Sequence, residues 1–307
     1  MLVVAIAAVF VVQILCLVLL MDQDTTVATA VAPCIPDAQQ QPQRPLSYYH
    51  QQHKINLDAK VPLVMVGTDG SGTRGVAAIL QQLGVPLVVD DFVQLDVHAA
   101  SIGGWTPLVR SALSHKDIDA VLSQYLLREL PPRWDQQYAT HEHAAMSPTV
   151  SFAFKAPIAM TLIPQLRRIF DGRFKLVHVV RDGRDIAFSD NQSPVNKYYE
   201  VVHGKDGSDT HCKAMRLWND WNVQAHRWMR DDPNYLVVRS EDLMSPRRGA
   251  VLQRLARFVD APGVPCSLRE VPQRGSYGKW KQLADAGMLQ ELNRIGKEGL
   301  ELFGYVD

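Results

Sequence analysis

Short apolar runs alternate with amphipathic stretches along most of the chain, and each run ends in a polar turn. After the first run, apolar residues recur between Val76 and Leu83 at helical spacing, and Gly84 ends that stretch. The runs that predict strands lie at residues 61–66, 174–180 and 235–238. Repeated strand–turn–helix units predict an α/β domain with a central parallel sheet flanked by helices.

The first apolar stretch, residues 1–21, contains no charged side chain. As a helix it would be roughly 30 Å long, which matches the hydrocarbon core of a bilayer. It therefore predicts a transmembrane signal anchor. The alternative is a cleaved signal peptide, because residues 28–30 and 30–32 offer the small-x-small pattern of a cleavage site. The length of the run and the lack of a preceding positive segment favour the anchor.

Residues 22–60 are polar, with a glutamine run at 39–41 and prolines at 33, 36, 42 and 45. Such a composition cannot bury a core, so it predicts a stem or linker. The predicted organisation is an anchor at 1–21, a stem at 22–60 and one catalytic domain at 61–307.

Composition narrows the class of ligand. Of the 307 residues, 47% are hydrophobic, which is enough for one sizeable core, and 32 basic side chains balance 32 acidic ones. No net charge draws the chain to nucleic acid, so an anion site must be local. With Cys16 in the apolar run, three of the four cysteines remain, and at most one intrachain disulfide can form.

A glycine-rich turn, GTDGSGTRG at residues 67–75, joins the first predicted strand to a helix. Unpaired helix-start amides, the helix dipole and glycines that admit an anion close to the backbone together favour anion binding. The residues predicted to bind are Gly70, Ser71, Gly72, Thr73 and Arg74. The alternative is a mere tight connection. Because no Gly-Lys-Ser or Gly-Lys-Thr occurs, the turn is not a Walker A loop.

A second candidate anion site follows the run at 174–180. Arg181 comes directly after this predicted strand, and Ser189 lies about two helical turns further on. A guanidinium fork and a hydroxyl so placed can close on one phosphate. Both turns would lie at the carboxyl ends of parallel strands, where ligands of open α/β sheets bind.

With these two motifs the chain resembles the sulfotransferase family. In that family the first loop binds the 5′-phosphosulfate of 3′-phosphoadenosine 5′-phosphosulfate (PAPS), and an Arg with a Ser eight positions later binds the 3′-phosphate. Arg181 and Ser189 match that spacing. The Gly-Thr-Arg sequence that ends at Arg74 is similar to the corresponding sequence of the heparan sulfate sulfotransferases. Residues 235–243 resemble the family's strand that ends in Tyr-Glu-Asp-Leu.

The resemblance, which runs from about residue 61 to near the end, implies a P-loop-NTPase-like sandwich with PAPS as donor and no required metal. Residues 274–281 resemble the late nucleotide-covering loop, so Arg274 and Gly275 are implied cofactor contacts. The chain departs from cytosolic members at Gly70, where they carry Lys or Arg. Charge neutralisation must then come from Arg74, Lys155 or loop amides. Ser240 also replaces the usual Tyr, so no role is carried over to it.

Lys155 lies in FKAP at 154–157, which resembles the Lys-x-Pro segment where relatives place a lysine near the scissile bond. It would stabilise the bridging oxygen as it leaves. The alternative is a lysine that extends its ammonium to solvent.

Glycan-modifying relatives carry their catalytic Glu about twenty residues beyond the loop, where this chain has Asp91 and Asp90. Asp91 is the first candidate for the general base and Asp90 the second, with Asp96 and His98 behind them. The alternative is that the two adjacent aspartates cap a turn.

The predicted activity is sulfuryl transfer from PAPS to an acceptor hydroxyl or amine. A glycan is the favoured acceptor, with protein tyrosine, a lipid or a small molecule as alternatives. The anchor would make the chain a single-pass type II protein of the Golgi membrane with a luminal catalytic domain, secreted if the anchor is cleaved. The rival hypotheses are a P-loop nucleotide kinase or phosphotransferase, and an inactive membrane-tethered nucleotide-binding protein.

No metal site is predicted. The histidine pair His141 and His143 is spaced i, i+2 in a polar stretch, which does not place both rings on one helix face.

Overall fold

The computed structural model describes residues 60–91, 95–133, 147–264, 268 and 277–306. The predicted anchor at 1–21 and the predicted stem at 22–60, save its last residue, lie outside the described residues. Among the helices that are described, none is both long enough and apolar enough to cross a bilayer.

Five strands form one sheet in which every hydrogen-bonded neighbour runs parallel, in the order β2-β3-β1-β4-β5. The predicted α/β fold with a central parallel sheet is thereby confirmed. β1 is the middle strand, and its register pairs Met65 with Lys155 on one side and with Val177 on the other. The strands are β1 (Val61–Gly67), β2 (Leu87–Val88), β3 (Val150–Lys155), β4 (Lys175–Val180) and β5 (Tyr235–Arg239).

Helices connect the strands and cover both faces of the sheet. Short 3₁₀ turns at Ala100–Ile102, Pro157–Leu162 and Ser240–Met244, and a π-helical turn at Tyr125–Glu129, complete the connections. The described α-helices are α1 (Thr73–Gln82), α2 (Trp105–Leu113), α3 (Asp119–Gln124), α4 (Ile163–Ile169), α5 (Gly183–Ala187), α6 (Ser193–His203), α7 (Thr210–Met229), α8 (Arg248–Phe258), α9 (Trp280–Leu283), α10 (Ala286–Ile295) and α11 (Lys297–Leu302).

The apolar residues of β1 alternate between two cores. Leu63 and Met65 face the core that α1 and α8 close, whereas Val64 and Val66 face the larger core built by α2, α4, α7 and α10. All four side chains are fully buried. A strand with both faces covered has to be apolar throughout, which explains the unbroken run that predicted it.

The long helix α7 fixes the chain just beyond β4. Trp218 and Trp221 are buried in the core. The Trp218 indole Nε1 donates to the carbonyl oxygen of Arg181 at 2.9 Å. At Gly183 a Cβ atom would lie 2.4 Å from the Trp218 ring. Only glycine therefore lets the segment after β4 lie against this indole.

Replacing Gly183 by alanine should destabilise the fold, because the added methyl group overlaps the Trp218 ring. We expect Gly183→Ala to lower the free energy of unfolding by about 1–3 kcal/mol in urea denaturation. Gly249→Ala is the matched control, since a Cβ at this helical position meets nothing within 4 Å. It should raise stability by about 0.5–1 kcal/mol. Equal behaviour of the two variants would contradict this account of Gly183.

Candidate functional site

The turn between β1 and α1 lies at the carboxyl edge of the sheet, where its backbone is open to an anion. Gly70 and Gly72 adopt positive φ angles of 87° and 89°, which few residues other than glycine tolerate. Helix α1 begins at Thr73 with no side-chain cap hydrogen bond and no acidic residue in its first turn. Its first amides and its dipole are therefore available to a bound oxyanion.

Two buried hydroxyls beneath this turn fit the same role. Ser71 is completely buried and Thr68 is 5% exposed. Within the described part of the chain, neither Ser71 Oγ nor Thr68 Oγ1 has a hydrogen-bond partner. A buried hydroxyl without a partner costs stability, so its retention points to a ligand acceptor. The phosphosulfate of PAPS, which carries several acceptor oxygens, fits this donor set.

The second predicted anion site lies directly against the first. Arg181 Nη1 donates to the carbonyl oxygen of Gly70 at 3.1 Å. A Cβ placed on Gly70 would lie 3.5 Å from Ser189 Oγ. The structure thus brings Gly70, Arg181 and Ser189 together at the joined ends of β1 and β4. Gln192 holds the Ser189 turn, because its side-chain amide donates to the Ser189 carbonyl at 2.6 Å.

Asp185 orients the Arg181 guanidinium through an ion pair, and the Tyr277 ring stacks on it. Its Nη2 lies 3.2 Å from Asp185 Oδ2, and its guanidinium stacks on the Tyr277 ring at 4.7 Å from the ring centre. The Asp185 carboxylate also accepts from the Gly278 amide at 2.7 Å. The predicted contacts Arg274 and Gly275 lie outside the described residues, but the turn that follows them is tied to Arg181 through Asp185.

Lys155 ends β3, one strand away from the glycine-rich turn. It is 2% exposed, so the alternative of a lysine extended into solvent is wrong. Its ammonium forms a close ion pair with Asp96. Burial lowers the pKa of Lys155, and the charge of Asp96 opposes that shift. The positive charge of Arg74 also lowers the pKa of Lys155.

Asp90 and Asp91 lie in the loop after β2, and they make different contacts. Both carboxylate oxygens of Asp90 are engaged, Oδ1 by Arg133 at 2.6 Å and Oδ2 by the His98 amide at 2.7 Å. These contacts fit the alternative in which the aspartates stabilise a turn. The backbone of Asp91 forms an isolated antiparallel bridge with Asp96. A catalytic role for Asp91 stays a prediction.

Sequence patterns missed one acidic residue of the site, Asp69. It lies in the glycine-rich turn itself, immediately before Gly70, and is partly exposed. Burial raises the pKa of Asp69, and the Asp96 carboxylate raises it further, while Lys197 and Lys155 lower it. The sequence carried no signal for it, because the charges that act on Asp69 belong to residues distant along the chain, such as Lys155 and Lys197.

One family model matches most of the chain. The sulfotransferase domain model matches residues 60–298. Similar solved structures include the sulfotransferase domain from the curacin biosynthetic pathway, which is 14% identical with a TM-score of 0.45 over 78% of this chain and 97% of that one. Sulfotransferase STF9 from Mycobacterium avium is 16% identical, with a TM-score of 0.43 over 84% and 81% of the two chains.

Mouse sulfotransferase SULT7A1, solved in complex with PAP, is 13% identical and has a TM-score of 0.37, covering 83% of this chain and 89% of that one. No match to the chain was found among the curated proteins.

Removing the arginine or the serine of the second anion site should weaken binding of adenosine 3′,5′-bisphosphate. Loss of a charge-assisted hydrogen bond costs about 1.5–3 kcal/mol, so Arg181→Ala should raise the Kd roughly 10- to 150-fold. Ser189→Ala removes a neutral donor and should raise it roughly 2- to 12-fold.

Isothermal titration calorimetry measures both changes. Arg230→Ala is the control, since Arg230 is exposed and pairs only with the neighbouring Asp231 among the described residues. Tight binding that neither Arg181→Ala nor Ser189→Ala alters would remove the second anion site.

Proposed function

Because this chain belongs to the sulfotransferase family and is a PAPS-dependent sulfotransferase, we propose that it transfers a sulfuryl group from PAPS to a hydroxyl or amine of a glycan. Family membership rests on the domain match over residues 60–298. The proposed position of the donor rests on one contact, in which Arg181 donates to Gly70 of the glycine-rich turn and so joins the two anion sites. Two such sites side by side suit a cofactor that carries an anion at each end.

The proposed roles divide between the ends of two strands. Beyond β4, Arg181 and Ser189 hold the 3′-phosphate. Beyond β1, the amides of α1 and the hydroxyls of Ser71 and Thr68 hold the 5′ end. The donor supplies an activated sulfuryl group, which needs an acceptor in line and a proton acceptor nearby.

Lys155 supplies the positive charge that Gly70 does not. The buried ammonium at the end of β3 faces the same edge of the sheet as the turn, because Met65 of β1 pairs with Lys155. Negative charge grows on the bridging oxygen as the bond to sulfur breaks, and a preorganised cation stabilises it strongly in a site with little water. The charge of Asp96 raises the pKa of Lys155 and so opposes the effect of burial.

Glycan acceptance and a Golgi membrane location are the finer parts of the proposal. The Gly-Thr-Arg ending of the turn, similar to that of the heparan sulfate sulfotransferases, supports a glycan. The uncharged stretch at residues 1–21 supports a luminal enzyme on a signal anchor. Protein tyrosine, lipids and small molecules are the other acceptor classes to compare.

Incubation of the full chain with sulfur-labelled PAPS and separate glycan, tyrosine-peptide and lipid acceptors tests the acceptor class. We expect label in the glycan fraction, with no transfer in the absence of enzyme. Label confined to peptide or lipid would overturn the glycan assignment while leaving the transferase assignment in place. Protease protection of a carboxyl-terminal tag in intact microsomes tests the proposed luminal orientation.

Replacing Lys155 by methionine should lower turnover with little change in donor affinity. Loss of one preorganised charge at the leaving oxygen costs roughly 10²- to 10³-fold in kcat. Asp96→Asn is the companion variant, because it keeps the lysine and removes only its partner, so a smaller loss is expected. Rates from labelled-donor turnover and Kd values for adenosine 3′,5′-bisphosphate separate the two effects. Wild-type turnover in Lys155→Met would contradict the assignment.

A further inference from the structure

The glycine-rich turn has two chemically different sides. At Gly70 it meets Arg181 and Ser189, which belong to the chain after β4. On its other side the turn borders the end of β3, because β1 pairs with β3 as well as with β4 and Met65 of β1 lies opposite Lys155. The charges of Lys155, Asp96 and Lys197 act on the Asp69 carboxyl group. If the 3′-phosphate occupies the β4 side, the sulfuryl group and the acceptor belong on the side of Asp69 and Lys155.

Three aspartates near this side are engaged by partners. Asp96 pairs with Lys155, Asp90 with Arg133, and the backbone of Asp91 with that of Asp96. Asp69 differs from them. Among the residues that the structure describes, none forms a hydrogen bond or an ion pair with its side chain. A partly exposed carboxylate in a turn that borders the strand end of the buried Lys155 is open to a substrate hydroxyl.

The electrostatic surroundings of Asp69 suit proton transfer. Partial burial and the Asp96 carboxylate raise its pKa, whereas the ammonium groups of Lys197 and Lys155 limit the rise. The charge of Asp69 also acts on Tyr198, whose phenol pKa is raised in part by this carboxylate. A general base is most effective when its pKa approaches the operating pH.

We propose that Asp69 is the general base of the transfer and accepts the proton of the attacking acceptor hydroxyl. This inference rests on the proposed function. The acceptor oxygen forms a new bond to sulfur while the bond between sulfur and the bridging phosphate oxygen breaks. The hydroxyl proton passes to an Asp69 carboxylate oxygen, and Lys155 stabilises the charge left on the released bisphosphate. The proton later leaves Asp69 for solvent.

Asp69→Asn removes the base and keeps the size of the side chain. We expect kcat to fall roughly 10²- to 10⁴-fold on the best acceptor of the panel. Affinity for adenosine 3′,5′-bisphosphate should change less than about threefold, which also proves that the variant is folded. Asp69→Glu keeps a carboxylate and should recover part of the rate.

The pH profile gives a second readout. A base works deprotonated, so wild-type kcat/KM should rise with pH through the raised pKa of Asp69, and Asp69→Asn should lose that rise. Asp231→Asn, at an exposed position remote from the site in sequence, is the matched control and should match the wild type.

Wild-type turnover in Asp69→Asn, an unchanged rising limb, or loss of activity in Asp91→Asn alone would each overturn the assignment of Asp69. Failure of the wild-type chain to transfer label to any acceptor would instead defeat the proposed function, on which this assignment rests. The two failures are therefore distinguishable in one series of assays.

Discussion

The site depends on one hydrogen bond, the donation from the Arg181 guanidinium to the carbonyl oxygen of Gly70. It joins the turn after β1 to the turn after β4, and it forms because these strands are parallel neighbours in the sheet. Parallel strands place their carboxyl ends at the same edge, so two turns far apart in sequence meet there. The fold thus places the two predicted anion sites side by side.

The contact between the two turns places charged side chains in the interior, and each of them forms an ion pair with an opposite charge. Arg181, Asp182, Arg184 and Asp185 are all nearly buried. Arg184 binds Asp182 through two nitrogens and stacks on Trp280 at 3.9 Å, and Asp185 holds Arg181. An isolated buried charge would cost several kcal/mol. Asp185 orients the Arg181 guanidinium while Trp218 fixes the Arg181 backbone.

Much of this could be predicted from sequence because it is local. The strand–turn–helix pattern gave β1, β4 and β5 within a residue or two, and the spacing of Arg181 and Ser189 placed both at one site. The acidic residues were harder, since their roles are decided by partners distant along the chain. Asp90 pairs with Arg133, and Lys155 pairs with Asp96. The two partners, Arg133 and Asp96, do not lie in any motif. The importance of Asp69 emerges only when β3 is known to lie beside β1.

The glycines at 70 and 72 have a consequence for how this protein tolerates change. At Gly70, where the resemblance to cytosolic members leads us to expect Lys or Arg, this turn offers peptide dipoles whose direction is set by left-handed backbone angles. Such dipoles are neither titrated by pH nor rotated by a rotamer switch, and they depend wholly on backbone shape. A methyl group added at either glycine would carry no charge, yet it would disfavour the positive φ angle that sets the direction of these amides.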